Sequence, residues 1–151
     1  MYVRGLAVAM LVALGCGDDG GDDLSLEGEW IQVSEDGVCA RGAVFDAPDF
    51  EFQYICELEG GGYGTEVRTG TYTRDGSRVA LRLKRSSCSG DAPASEMRFE
   101  IEGGQLTLAD NGSAVIYDPL EDTEGPSGGT TLTTGCWTGD SFSPQPLEAV
   151  P

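Results

Sequence analysis

The stretch CARGAVFDAPDFEFQYIC, residues 39–56, decides the fold of this chain. From Phe50 onward, large apolar side chains alternate with polar ones, which is the pattern of a β-strand with one buried face. A turn at Ala47-Pro48 places Cys39 opposite Cys56 in an antiparallel hairpin. Directly opposed cysteines lie within the span of a disulfide. The stretch therefore predicts a β-hairpin closed by a Cys39–Cys56 bond.

Further turns divide the chain into short strands up to about residue 118. Gly103-Gly104 and Asn111-Gly112 are typical of tight hairpin turns, and they give three consecutive strands one shared apolar face. Asp36-Gly37 supplies another turn, whereas Asp75-Gly76 fits either a two-residue loop or a three-residue loop with a bulge. The predicted strands cover residues 28–34, 38–45, 50–58, 63–73, 77–85, 96–102, 105–110 and 113–118.

Sequential antiparallel strands that share one apolar face can bury it by closing on themselves. We therefore predict an all-β fold, an eight-stranded antiparallel up-and-down barrel, with a modest apolar core for which disulfides matter. Within the first strand, Gly28-Glu29-Trp30 resembles the G-x-W opening of lipocalins and their smaller bacterial lipocalin-like relatives. Residues 70–81 are similar to a strand, turn and strand that recur in those lipoproteins. The resemblance covers residues 26–118 and implies a ligand-binding barrel with Trp30 closing one end.

The first fifteen residues have the features of an export signal. A positively charged start, Met1 to Arg4, precedes an apolar run that is about half the roughly 20 residues a membrane-spanning helix needs. The following Ala13-Leu14-Gly15-Cys16 resembles a bacterial lipobox, which implies cleavage before Cys16 and attachment of acyl chains such as palmitate to its thiol. The alternative is an ordinary secretory signal cut nearby. The lipobox implies anchoring to a membrane of the bacterial cell envelope, facing the periplasm or the exterior.

The number of cysteines supports the lipoprotein interpretation. The chain has five cysteines, an odd number, and assigning Cys16 to lipid leaves an even set in an exported protein. With Cys39 and Cys56 paired by the hairpin, Cys88 and Cys136 form the second predicted disulfide by exclusion.

Two further segments complete the predicted domain organisation. Residues 16–25 are rich in glycine and aspartate and form an acidic tether between the lipid and the domain. Residues 119–151 are rich in Gly, Ser, Thr and Pro, so we expect an irregular tail that is tied back to the barrel by the second disulfide.

Composition excludes several classes of function. Cleavage before Cys16 removes Arg4 and no acid, which changes the formal net charge from −17 to −18. A chain this acidic lacks the cationic surface that nucleic-acid binding requires, although a cationic protein partner would suit it. Because the chain contains no histidine, the usual general base and imidazole metal ligands are absent. We predict a protein without catalytic residues, cofactor or metal site.

Four side chains are candidates for lining a ligand site inside the barrel. In the predicted hairpin register, Arg41 lies on the inward face opposite Tyr54, where a guanidinium could bind an anionic head group. Phe52 and Trp30 would contribute apolar surface. The alternative is that Arg41 only stacks on an aromatic ring at one barrel end and that the aromatic residues fill the interior. Arg68 also faces inward, opposite Leu83, if the Asp75-Gly76 loop has two residues.

These patterns favour a binding protein over an enzyme. The expected role is binding of a small amphipathic ligand in the barrel, or of another envelope component at its rim. The segment Phe52-Gln53-Tyr54-Ile55-Cys56 also resembles the Y-x-C strand of periplasmic lysozyme inhibitors, which implies a protein–protein inhibitor as the second hypothesis. A structural envelope lipoprotein without any ligand is the third.

Overall fold

The computed structural model describes residues 25–110, 112–120 and 131–151. These residues form an all-β structure, and no helix occurs among them. The predicted signal peptide and Cys16 lie outside the described residues, so lipidation stays a prediction. The strands are β1 Gly28–Val33, β2 Cys39–Asp46, β3 Asp49–Glu57, β4 Tyr63–Asp75, β5 Arg78–Ser86, β6 Ala94–Glu102, β7 Gln105–Asp110, β8 Ser113–Pro119, β9 Leu132–Thr138, β10 Ser141–Pro144 and β11 Glu148–Ala149.

Strands β1 to β8 form a closed antiparallel barrel, as predicted. Each strand pairs with the next one along the chain, and β1 pairs with β8 to complete the ring. The hairpin of β2 and β3 has the predicted register, with Cys39 opposite Cys56 and the two bonded as a disulfide. The registers of the hairpins between β6, β7 and β8 are confirmed as well. Their first turn uses Gly103 and Gly104 at φ of 61° and 82°, a conformation that glycine adopts readily.

The hairpin of β4 and β5 resolves the register that the sequence left open. Its turn is formed by Gly76 and Ser77, with Asp75 opposite Arg78. A bulge between Thr69 and Gly70 then shifts the register. As a result, Leu83 lies opposite Gly70, whereas Arg68 lies opposite Ser86. The expected pairing of Arg68 with Leu83 is wrong, because the loop lies one residue later than Asp75-Gly76 and the bulge adds a residue.

The apolar core occupies the interior of the barrel. Near the start of β1, Leu26 is buried and its carbonyl accepts a hydrogen bond of 3.0 Å from Trp30 Nε1, which closes this end. We call the end at which β1 starts the closed end and the opposite end the mouth. The buried core residues are Leu26, Trp30, Ala43, Phe45, Phe50, Tyr72, Val79, Leu81, Phe99, Leu106, Leu108 and Tyr117.

The C-terminal tail is more regular than its composition predicts, because β9, β10 and β11 lie outside the ring. Strand β4 has 13 residues and β5 only nine, so the first part of β4 extends beyond its partner. Strand β9 pairs in parallel with that free part, at residues 63–65. The predicted Cys88–Cys136 disulfide is present and ties β9 to the loop that follows β5.

Candidate functional site

The mouth end of the barrel carries polar side chains on its inward face. Pairing across β2, β3 and β4 places Arg41 opposite Tyr54 and Tyr54 opposite Glu66. The next inward row on β3 and β4 pairs Phe52 with Arg68. Alternation of side chains along a strand thus directs two arginines and one glutamate into the barrel.

Arg41 is exposed although its strand position faces inward, so its side chain meets solvent at the mouth. Its guanidinium carbon lies 4.5 Å from the centre of the Tyr54 ring, a cation–π contact. No ion pair of Arg41 occurs among the described residues. The positive charge of Arg41 also acts on the nearby Tyr117 hydroxyl. Burial raises the pKa of Tyr117, and the charge of Arg41 partly opposes this rise. Arg41 is therefore a cation without a carboxylate partner, held in place by an aromatic ring.

Arg68, in contrast, is neutralised by two carboxylates. Its Nη1 lies 2.8 Å from Oε1 of Glu66, and its Nε lies 2.7 Å from Oδ2 of Asp91. Burial lowers the pKa of Arg68, but the bonds to Asp91 and Glu66 more than offset this, so its pKa is raised overall. This arginine stays charged, but two carboxylates already balance its charge, so it is a poor partner for a carboxylate or phosphate of a ligand.

The same network fixes the tail and the loop after β5. The backbone N–H of Trp137 donates to Oε2 of Glu66 at 2.8 Å, and the Trp137 indole donates to the Gly64 carbonyl at 3.0 Å. On the other side, the Ser86 hydroxyl donates to Asp91 at 2.6 Å and accepts from the Cys88 amide at 2.9 Å. The network therefore joins β4, the loop and β9 at one side of the mouth.

This arrangement does not provide a thiolate metal site. Oxygen and sulfur atoms of Glu66, Cys88 and Cys136 lie within 4.8 Å of one another. However, the two sulfur atoms are bonded to each other, so neither can act as a thiolate ligand.

The structure brings together only part of the predicted ligand-lining set. Arg41 and Tyr54 are in contact just inside the Cys39–Cys56 disulfide, and the Tyr54 hydroxyl lies 3.7 Å from the Cys39 sulfur. Phe52 packs deeper, with its ring centre 5.8 Å from that of Phe45. Trp30 faces inward, but its indole bonds to the closed end and is buried in the core.

The network of Glu66, Arg68, Asp91 and Ser86 was not predicted from the sequence. A usable signal existed, because the alternation of β3 can be continued across the pairing to β4 and places Glu66 and Arg68 on the inward face. Nothing local indicates Asp91, which reaches Arg68 from a loop 23 residues away.

Comparison with protein-family models, curated proteins and solved structures found no match to this chain. Within the part of the chain that the structure describes, no helix is long and apolar enough to cross a membrane.

Proposed function

We propose that this protein is an exported, lipid-anchored binding protein without catalytic activity, whose barrel mouth binds the anionic group of a small amphipathic molecule. The observation that carries this proposal is Arg41, an inward-facing, solvent-accessible arginine without an ion pair among the described residues. A guanidinium binds carboxylate or phosphate through two parallel hydrogen bonds. The anionic group of a ligand bound at the mouth would supply the negatively charged partner that Arg41 lacks.

The surroundings of Arg41 suit an amphipathic molecule better than a simple ion. Below Arg41, the inward row contains Phe52, whose ring contacts the aromatic core. The Tyr117 hydroxyl is buried nearby, and its raised pKa keeps it protonated and able to donate a hydrogen bond at neutral pH. An apolar chain directed toward Phe52 would gain roughly 25 cal/mol for each Å² of apolar surface removed from water.

The exported, anchored character of the proposal is supported by the lipobox-like sequence that ends at Cys16, and a lipocalin-like character by Gly28 and Trp30. In this chain the G-x-W tryptophan closes one end through its bond to Leu26, whereas the mouth is at the other end. Two acyl chains on Cys16 would suffice for stable anchoring.

Native mass spectrometry of the protein purified from its own envelope tests the proposal. We expect a co-purifying molecule of fixed mass, and an Arg41→Gln variant that retains it at least tenfold less. The matched control is Arg74→Gln, because Arg74 stacks on Phe99 at 4.9 Å and also faces inward, but near the closed end. Equal retention by all three proteins, or none by the wild type, would contradict a ligand site at the mouth.

A protein partner at the rim is the second candidate, and one observation favours it. Val33 and Val38 flank the turn between β1 and β2 at the mouth, and they are 54% and 38% exposed. Exposed apolar side chains beside an acidic surface suit a cationic protein, such as a lysozyme. Inhibition of lysozyme by the wild type, weakened by Val38→Asp and unchanged by Arg41→Gln, would favour this candidate over the first.

A further inference from the structure

A second pair of arginines lies on the outer wall of the barrel, where its side chains point away from the interior. Arg78 on β5 and Arg98 on β6 are directly opposed, and both are exposed. The Phe99 amide donates to the Ser77 carbonyl at 2.8 Å, so the arginines form a non-hydrogen-bonded pair. In such pairs the Cα atoms are only about 4.5 Å apart and the side chains lie close together.

This juxtaposition is unfavourable unless an anion accompanies it. Like charges directly opposite in a sheet destabilise it. For these two arginines the described residues provide a single, loose ion pair, with Arg78 Nη1 4.0 Å from Oε1 of Glu96. Asp75 lies opposite Arg78 on β4 but forms no ion pair with it, and Arg98 has none among the described residues. Both side chains of that loose pair are more than half exposed, so it contributes little.

The two arginines border a surface cleft of about 450 Å³ that continues across β7 and β8. Pairing puts Arg98 beside Ala109 and Ala109 beside Ala114. Across the sheet, the row that begins with the two arginines therefore continues with two alanine methyl groups. Small side chains at these positions leave open space next to the charges. The volume lies within the range of small-molecule sites.

We propose that this cleft binds the phosphate group of a hydroxyl-bearing phosphate ester. Two adjacent guanidinium groups match the charge and the several acceptor oxygens of a phosphate better than those of a carboxylate. The carboxylates of Glu96 and Asp110 line the same cleft and can accept hydrogen bonds from hydroxyl groups of the ester. Its carbon skeleton lies over Ala109 and Ala114. The phosphate belongs either to a free ester or to a lipid head group.

Titration by NMR with glycerol 3-phosphate, at constant ionic strength, tests this site. We expect saturable shifts of the amides of Arg98 and Ala109, weaker binding of inorganic phosphate, and a Kd at least tenfold higher in Arg98→Gln. Arg82→Gln is the matched control, because Arg82 is also an exposed arginine of β5 but does not line the cleft. Its Kd should stay within twofold of the wild-type value. Equal loss in both variants, or no saturable shift, would overturn the proposal.

Thermal unfolding in chloride buffer without phosphate gives an independent measurement. Because Arg98→Gln removes the repulsion from Arg78, its Tm should rise above that of the wild type, whereas glycerol 3-phosphate should raise only the wild-type Tm. A lower Tm of Arg98→Gln without phosphate would contradict the repulsion on which the site depends.

Vesicles that contain phosphatidic acid distinguish the two sources of the phosphate. Binding to these vesicles that Arg98→Gln abolishes and Arg82→Gln retains assigns the site to a lipid head group. Binding of glycerol 3-phosphate without vesicle binding assigns it to a free ester, and failure of both probes excludes the site.

Discussion

At the scale of single residues, three inward-facing arginines show how surroundings decide the role of one side chain. Arg68 is held by Glu66 and Asp91 and serves to join segments of the chain. Arg74 covers the ring of Phe99. Arg41 also covers a ring, that of Tyr54, yet it is exposed at the mouth without an ion pair among the described residues. Of the three, Arg41 is the one to which our proposal assigns the anionic group of a ligand.

Tyr72 provides a residue-scale prediction about alkaline pH. Burial, together with the nearby carboxylate of Glu27, raises the pKa of Tyr72 to about 12 from its ordinary value of 10.0. Its hydroxyl lies 3.4 Å from Oε2 of Glu27. Because the folded state keeps the proton to higher pH than the unfolded chain does, the stabilisation is complete below about pH 10 and is lost as pH rises toward 12.

We therefore expect the free energy of unfolding to fall between pH 10 and 12, and a Tyr72→Phe variant to lose part of this decline. Chemical denaturation at a series of pH values measures both slopes. The control is Tyr54→Phe, because Tyr54 is only partly buried at the mouth. Identical slopes for the wild type and Tyr72→Phe would show that Tyr72 ionises as it does in the unfolded chain.

At the scale of elements, the local hairpins and the closure of the ring were predictable, whereas the pairing of β9 was not. The registers around Cys39–Cys56 and Gly103-Gly104 follow from the alternation of apolar residues and from a short turn. The local sequence therefore predicts both strands of each hairpin and their pairing. In contrast, β9 pairs with residues nearly 70 positions earlier in the chain, at Tyr63 opposite Leu132. Its Gly- and Thr-rich sequence has no apolar alternation that would indicate a strand. What makes it a strand is the free edge of β4.

The bulge between β4 and β5 was also hidden from sequence analysis, and it depends on Gly70. A Cβ at Gly70 would collide with the Arg82 carbonyl oxygen and lie 2.9 Å from Cε1 of Phe50. We expect Gly70→Ala to lower the free energy of unfolding by about 1–3 kcal/mol, the usual effect of overpacking. Denaturant unfolding of the oxidised protein measures this change.

The matched control for this substitution is Gly42→Ala on β2. A Cβ there meets only the Trp30 carbonyl oxygen, at 3.9 Å, so the site has room. Reduced freedom of the unfolded chain should then leave this variant as stable as the wild type or more stable, by up to about 1 kcal/mol. Similar destabilisation of both variants would mean that replacing any glycine of these strands by alanine is unfavourable. The bulge would then have no special requirement for glycine at position 70.

At the scale of the whole molecule, charge is distributed unevenly. Although the chain has 26 acidic residues and only nine basic ones, five of the nine are exposed on β5 and β6: Arg78, Arg82, Lys84, Arg85 and Arg98. The bulge contributes, because Lys84 and Arg85 are adjacent and both exposed where the alternation along β5 is interrupted. Strand β6 also carries three exposed glutamates, Glu96, Glu100 and Glu102, so β5 and β6 together have only a small excess of positive charge. Because exposed charges are screened over about 10 Å at 0.1 M salt, this local excess can attract an anion despite the net charge.

The two disulfides act on different parts of the molecule, which leads to a prediction about the whole fold. Cys39–Cys56 staples neighbouring strands of the ring, whereas Cys88–Cys136 joins the ring to the tail across 48 residues. The entropic estimate for closing such loops is about 3 and about 4 kcal/mol, respectively. If the ring is an independent cooperative unit, loss of the longer link should release the tail first.

Hydrogen exchange of a Cys88→Ser, Cys136→Ser double variant tests this expectation. The amides of β9 and of Gln145, which donates to the Thr134 carbonyl at 3.1 Å, should lose protection, while those of β2 and β3 keep it. In the matched Cys39→Ser, Cys56→Ser variant, protection should fall throughout the ring. The bond from the Trp137 amide to Glu66 opposes release of the tail, so Glu66→Gln in the first variant should increase exchange in β9 further. Uniform loss of protection in the first variant would instead mean that the ring and the tail unfold as one cooperative unit.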